Sequence, residues 1–276
     1  MDRKTIAQET LKIQCQGYYE INGTKVEFSR QQRKSEDNSF LISPDEALQL
    51  IEDVKPSANK TAPTYKVVNQ SVIQTIFDTS KTDVEDIALL NFASAKNPGG
   101  GFLNGAMAQE EALAASSGLY NTLLLHKDYY EKNRLSKTMM YTNYTIYSPD
   151  VVFFRNAQFD LIASPVKASV LTLPAVNMGQ VILKGENVEK AKIVMKDRMR
   201  LSLAIFAHQK NRTLILGAYG CGVFRNAPAD ISLWWKELLE DEGYGCFFSK
   251  IVFAVFDNSK TQDNISAFEN TFKYLI

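Results

Sequence analysis

From about residue 64 onward, short apolar and β-branched runs alternate with longer helical stretches, and this pattern narrows the fold most. Ile87-Ala88-Leu89-Leu90-Asn91-Phe92, Val170-Leu171-Thr172-Leu173, Thr213-Leu214-Ile215-Leu216 and Lys250 to Phe256 are near-continuous apolar runs of strand length. A strand exposed to water on one face alternates polar and apolar residues, whereas a continuous run is buried on both faces. Such strands separated by helices imply an α/β fold with a largely parallel sheet covered on both sides. Tyr65 to Asn69 reads as a further strand, and Val72 to Asp78 as a helix or second strand. Leu103 to His126 reads as one long helical stretch, Met139 to Phe154 as extended chain, and Pro228 to Glu240 as a helix. Val188 to Gln209 is helical, with Ile193, Met195, Met199, Leu203 and Phe206 at roughly helical spacing.

Residues 1 to about 60 are polar and mixed. Gly17 to Phe28 alternates around Asn22-Gly23, which predicts a β-hairpin. Gln31 to Ser39 is charged and reads as a loop. Ser43-Pro44-Asp45-Glu46 opens a helix: Ser as N-cap, Pro in the first turn, acids at the positive end of the dipole. Ser57 to Pro63 is a break. The expected organisation is an N-terminal segment, 1–60, packed on a core of 61–276.

Lys+Arg and Asp+Glu both number 31 in the 276 residues, so the formal net charge is zero. With no surplus of cations to displace counterions, a broad grip on DNA is not expected. The three cysteines, Cys15, Cys221 and Cys246, form no disulfide framework, and no C-x-x-C or H-E-x-x-H occurs. With only two histidines, His126 and His208, no metal site and no cofactor is expected. The opening MDRKTIAQET has no apolar segment, and no run reaches the ~18 apolar residues of a membrane span. A cytoplasmic protein with no membrane partner is expected.

Two glycine loops follow two of the predicted strands. In Asn97-Pro98-Gly99-Gly100-Gly101-Phe102 three glycines remove every Cβ over about one turn, so a ligand can lie on bare backbone N–H groups. A flexible surface loop is the competing reading. Gly217-Ala218-Tyr219-Gly220-Cys221-Gly222-Val223-Phe224 leads toward a second helix, with Asn226 as the expected N-cap. Two such loops at carboxyl ends of parallel strands suit the two phosphates of a diphosphate. Neither contains the G-K-[ST] of a P-loop, and Gly217-x-x-Gly220-x-Gly222 reverses the dinucleotide-fold spacing. Tyr219 either stacks on a base or closes its loop.

Eight residues past Gly101 stands Gln109-Glu110-Glu111. Acids in a first helical turn favour the dipole and need no further role. Neighbouring side chains on a helix diverge by about 100°, so the pair does not readily share one proton. If functional, one carboxylate faces the reacting bond and the other supports geometry or sugar hydroxyls.

The segment from Asn91 to Tyr120 closely resembles the bacterial-type poly(ADP-ribose) glycohydrolases, a branch of the macrodomain superfamily, in its Gly-Gly-Gly run and following Gln-Glu-Glu. Tyr147 to Arg155, Pro174-Ala175-Val176-Asn177 and Gly217 to Asn226 are similar to further family blocks in the same order, and the opening helix-and-hairpin region looks like the family's N-terminal accessory segment. The resemblance covers nearly the whole chain. It implies a macrodomain-like mixed, largely parallel sheet with helices on both faces. It implies Glu111 as the catalytic acid, with Glu110 beside it contacting ribose. Asn97 matches a ribose-contacting asparagine, and Gly99, Gly100 and Gly101 form the catalytic loop, with Gln109 in the substrate site. Gly220, Cys221, Gly222, Val223 and Phe224 form the second phosphate loop, Phe224 near the distal ribose. Ala115 stands where an Arg is expected, which touches helix packing or an ion pair.

The activity so implied is exo-type hydrolysis of the ribose–ribose bond of poly(ADP-ribose), Glu111 giving a proton to the leaving oxygen and taking one from water. The partners implied are the polymer or ADP-ribosylated protein, with ADP-ribose as product. A macrodomain that only binds ADP-ribose, and a hydrolase for single ADP-ribose groups, are the alternatives. Cys221 invites a nucleophile role, but neither histidine stands near it in sequence.

Overall fold

The apolar run at 87–93 forms the central strand of the molecule. The computed structural model describes residues 2–57, 62–82 and 86–275, so part of the predicted break at 57–63 lies outside the described residues. In chain order the elements are α1 (Arg3–Gln16), β1 (Tyr18–Ile21), β2 (Thr24–Glu27), α2 (Ser29–Asp37), β3 (Phe40–Ile42) and α3 (Pro44–Asp53). Then come β4 (Thr64–Val68), α4 (Val72–Ser80), β5 (Ile87–Ala93), α5 (Gln109–Ser116), α6 (Leu119–Leu124) and α7 (Lys127–Leu135). β6 (Thr145–Arg155), β7 (Leu161–Pro174), α8 (Met178–Leu183), α9 (Val188–His208), β8 (Thr213–Leu216), α10 (Pro228–Lys236), β9 (Lys250–Ala254) and α11 (Asp263–Phe272) complete the chain.

Among the described residues seven strands form one sheet, in the order β3-β6-β7-β5-β8-β9-β4. The four pairings from β7 to β4 are parallel; β3 and β6 run antiparallel at the other edge. Alternation along β5 divides the core. Leu89 faces α4, α5, α6 and α7, whereas Leu90 faces a larger cluster built with α3, α8, α9, α10 and α11. Both leucines are fully buried, each removing apolar surface worth about 1.5–3 kcal/mol. The expected mixed sheet with helices on both faces is what forms.

The Asn22-Gly23 hairpin pairs β1 with β2, and Ser43 caps α3 in a reciprocal capping box with Glu46. Val72–Ser80 resolves as a helix. Other expectations are corrected. Gln31 to Ser39 is not a loop but most of α2. Its sequence carries no apolar stripe because polar bonds dock it: Gln32 Nε2 donates to Gly118 O (3.0 Å) and Ser35 Oγ to Pro149 O (2.6 Å). The stretch 103–126 is broken. Gly105 sits in the left-handed region at φ 80°, and Ser117 turns extended to bridge Phe153 of β6 while Gly118 N donates to Val152 O. Met139 to Tyr144 lies outside β6, α10 ends at Lys236 in a single π turn, and Ile193 faces outward from α9.

The N-terminal residues share the core's architecture. β3 is one of the sheet's two edge strands, and Ile6 and Ala7 of α1 pack on Phe102, Ala114 and Ala115. Thr10 Oγ1 donates to Ala115 O (2.7 Å) and Gln14 Nε2 to Ser117 O (2.8 Å), which ties α1 to the end of α5.

Candidate active site

β5 and β8 are parallel neighbours, so the loops that leave their carboxyl ends stand side by side. Gly100 adopts φ 60°, a left-handed conformation costly for any residue with a Cβ. A Cβ there would also lie 2.3 Å from Glu111 Oε1. The loop is bare because the carboxylate occupies that space.

α5 carries this carboxylate in its first turn. Glu111 is half-buried; Oε1 accepts from Gly101 N (2.9 Å) and Oε2 from Ala108 N (3.1 Å). One bond fixes the side chain to the glycine loop and the other satisfies an otherwise unpaired N–H at the helix start. Glu110 turns inward, as the divergence of neighbouring helical residues requires. It is 3% exposed; Oε2 accepts from Ser94 N (2.7 Å) and Oε1 from Asn91 Nδ2 (3.4 Å). Burial pushes its carboxyl up to about 8, and the Glu111 charge adds to the rise, against the lowering by these donors. Glu110 is therefore mostly protonated at neutral pH.

Gln109 gives both ends of its amide to β5: Oε1 accepts from Phe92 N (2.8 Å) and Nε2 donates to Leu90 O (2.7 Å). It clips α5 to the strand rather than presenting a free amide. Asn97 is exposed at the rim, its side chain making no hydrogen bond among the described residues. Asn91, Ser94 and Tyr129 escaped the sequence analysis. Asn91 is the polar interruption of an apolar strand, which is the signal that could have found it, and it also donates to Thr172 Oγ1 (3.2 Å). Tyr129 is fully buried and offers its hydroxyl to Ser94 O at 3.4 Å.

In the second loop Gly220 has φ 74°, and a Cβ would lie 2.6 Å from Asn226 Nδ2 and 2.7 Å from the Ala175 Cβ. Asn226 is not the N-cap of α10, which is Ala227. Its amide instead staples the loop, donating to Val176 O (2.9 Å) and Gly220 O (3.1 Å). Tyr219 closes the loop: fully buried, it donates to Leu173 O (2.9 Å) and is unavailable for stacking. Gly222 and Val223 are exposed, Cys221 and Phe224 half-buried, and Gly179 N donates to Phe224 O (3.0 Å). Burial pushes the Cys221 thiol up to about 12, so it is no thiolate at neutral pH. Trp235 is core and its neighbour Trp234 only partly buried. Among the described residues no three His, Cys, Asp or Glu cluster as a metal site, and no helix is long and apolar enough to cross a membrane.

The family model for the catalytic domain of microbial-type PARG matches residues 7–156. The chain belongs to the microbial-type PARG family. The crystal structure of poly(ADP-ribose) glycohydrolase (PARG) from Thermomonospora curvata is 33% identical over 98% of this chain and 99% of that one, with a TM-score of 0.93. A T. curvata PARG structure bound to the inhibitor ADP-HPD has a TM-score of 0.91 at 34% identity, with 98% and 99% covered. PARG from Deinococcus radiodurans in complex with ADP-ribose is 34% identical over 94% of this chain and 100% of that one, with a TM-score of 0.83. No curated protein sequence matches significantly. In this microbial-type PARG the space at Ala115, where an Arg was expected, is closed by α1: the residue is buried against Ile6 and Ala7.

Proposed function

We propose that this chain hydrolyses the ribose–ribose glycosidic bond at the terminus of poly(ADP-ribose), releasing ADP-ribose, with Glu111 as general acid and then general base. The observation that carries the proposal is the Glu111 carboxylate held against the bare backbone of Gly100 and Gly101. A module that only binds the nucleotide has no need of a carboxylate there.

The diphosphate runs along the bare backbone of Gly99 to Gly101 and against the second loop, Gly220 to Phe224, with the distal ribose between Asn97 and Phe224. Protonated Glu111 gives its proton to the leaving ribose hydroxyl as the C–O bond breaks, and the sugar passes through an oxocarbenium-like state. Water then adds to the anomeric carbon and Glu111 takes its proton, which restores the starting acid. The Gly101 and Ala108 N–H groups, which donate to its two oxygens, hold the carboxylate in place once the proton has left. Glu110, mostly neutral and buried, adds little repulsion to that carboxylate and holds the loop through Ser94.

Several observations support the finer points. A net charge of zero favours a grip on the terminal unit over tracking along a polyanion. Free thiols at Cys15, Cys221 and Cys246 suit a reducing, cytoplasmic setting. Residues 1–60 act as a brace, since α1 holds the end of the helix that carries Glu111. The test is incubation with labelled polymer and, separately, with mono-ADP-ribosylated protein. Free ADP-ribose from the polymer is expected. Release from the modified protein alone would move the substrate, and release from neither, with tight ADP-ribose binding, would leave a reader.

A further inference from the structure

A groove of about 420 Å³ lies between α8 and the second glycine loop, beside the site just described and sharing Val223 with it. Its walls are Gln180, Ile182 and Leu183 on one side and Val223 and Arg225 on the other. Three of these are large apolar side chains open to water: Ile182 at 60%, Leu183 at 76% and Val223 at 84% exposure. Arg225 sits at φ 58°, uncommon for a residue with a side chain. Its side chain crosses Gly179, where a Cβ would lie 3.0 Å from Arg225 Cδ. Among the described residues no carboxylate pairs with its guanidinium, although ten ion pairs occur elsewhere in the protein.

We propose that this groove is a second subsite, which takes the penultimate ADP-ribose unit of the polymer: its adenine on Ile182, Leu183 and Val223, its diphosphate on Arg225. The inference rests on the glycohydrolase reading and specifies the leaving side of that substrate. Strand order sets the direction. The second loop leaves β8, Glu111 stands over the loop that leaves β5, and α8 follows β7, the next strand beyond β5. A ligand running from the β8 loop to the bond at Glu111 continues, past the cut, toward α8. The groove is continuous with the substrate loop, because Val223 belongs to both and the Gly179–Phe224 hydrogen bond joins loop to helix. Its chemistry matches a nucleotide: an apolar shelf for a heteroaromatic base beside an unpaired planar cation, which binds phosphate oxygens bidentately. A single occupied subsite also accords with zero net charge, since specificity for polymer then needs one well-placed Arg rather than a basic track.

The test uses the full chain carrying Glu111→Gln, which prevents turnover, and compares calorimetric affinities for ADP-ribose and for the (ADP-ribose)₂ dimer. The dimer is expected to bind about tenfold tighter, the advantage of a modest extra contact. Arg225→Ala and the pair Ile182→Ser/Leu183→Ser, all exposed positions, should each remove most of that advantage and leave ADP-ribose affinity within about twofold. Equal affinities for the two ligands before these changes would overturn the proposal. So would variants that weaken both ligands alike, or variants that spare the dimer and weaken only a mono-ADP-ribosylated protein. Failure to bind ADP-ribose at all would instead sink the glycohydrolase reading.

Discussion

Replacing Gly100 by Ala probes the link between the glycine loop and the chemistry. The new Cβ carries two separate costs. At φ 60° the left-handed backbone costs about 1–2 kcal/mol for a residue with a side chain. The Cβ would also lie 2.3 Å from Glu111 Oε1 and 2.9 Å from its Cδ, against 3.4–4 Å for ordinary contact. The carboxylate must retreat by about 1 Å, which breaks its 2.9 Å bond to Gly101 N, and misplacement of a reacting group by ~1 Å can cost ~10²-fold in rate. Expected, then, are a fall in melting temperature of ~2–8 °C and a loss of polymer turnover on the order of 10²-fold. Gly23→Ala is the control. That residue has φ 76° with no atom within 4 Å of a built Cβ, so it should lose similar stability and keep full turnover. Thermal unfolding and the release of ADP-ribose from labelled polymer read the two effects separately. Gly100→Ala turnover within about threefold of the parent chain would refute the claim that this loop positions Glu111.

Two further perturbations test the surroundings of the carboxylates. Glu110 is raised to about 8 in the fold, above its unfolded value, so the folded state holds the extra proton. Its contribution to stability is fully present below about pH 4.5 and is lost as pH rises toward 8, at no more than about 1.4 kcal/mol per pH unit. Glu110→Gln should remove that slope, read as the pH dependence of the stability difference between the two proteins; identical slopes from pH 5 to 8 would contradict a protonated Glu110. Gln109→Ala deletes both bonds to β5 and should cost about 1–3 kcal/mol in denaturant unfolding, while turnover falls more than ADP-ribose affinity. Unchanged stability would show that the clip does not hold α5.

The elements legible in the sequence are those whose signal is local. β5, β8 and β9 are buried on both faces, so continuous apolar runs marked them, and Ser43 to Glu46 carries a complete helix-start signature. The Gly-Gly-Gly run and the Gln-Glu-Glu triplet were visible, as was the divergence of Glu110 from Glu111. What stayed hidden depends on distant partners. α2 has no apolar stripe because Gly118 and Pro149, far along the chain, receive its polar side chains. The breaks inside 103–126 arise where β6 captures Ser117 and Gly118. The clip by which Leu90 and Phe92 engage the Gln109 amide likewise has no local signal. Asn226 carries an N-cap's residue type, but Val176 and Gly220 claim its side chain.

The most direct measurement concerns one proton. Glu111→Gln keeps the size and shape of the side chain but cannot give a proton to the leaving oxygen or take one from water. The account predicts that this variant still binds ADP-ribose with near-parental affinity in calorimetry, while its release of ADP-ribose from polymer collapses by several orders of magnitude. Turnover that persists near the parental rate would contradict it and remove Glu111 from the chemistry.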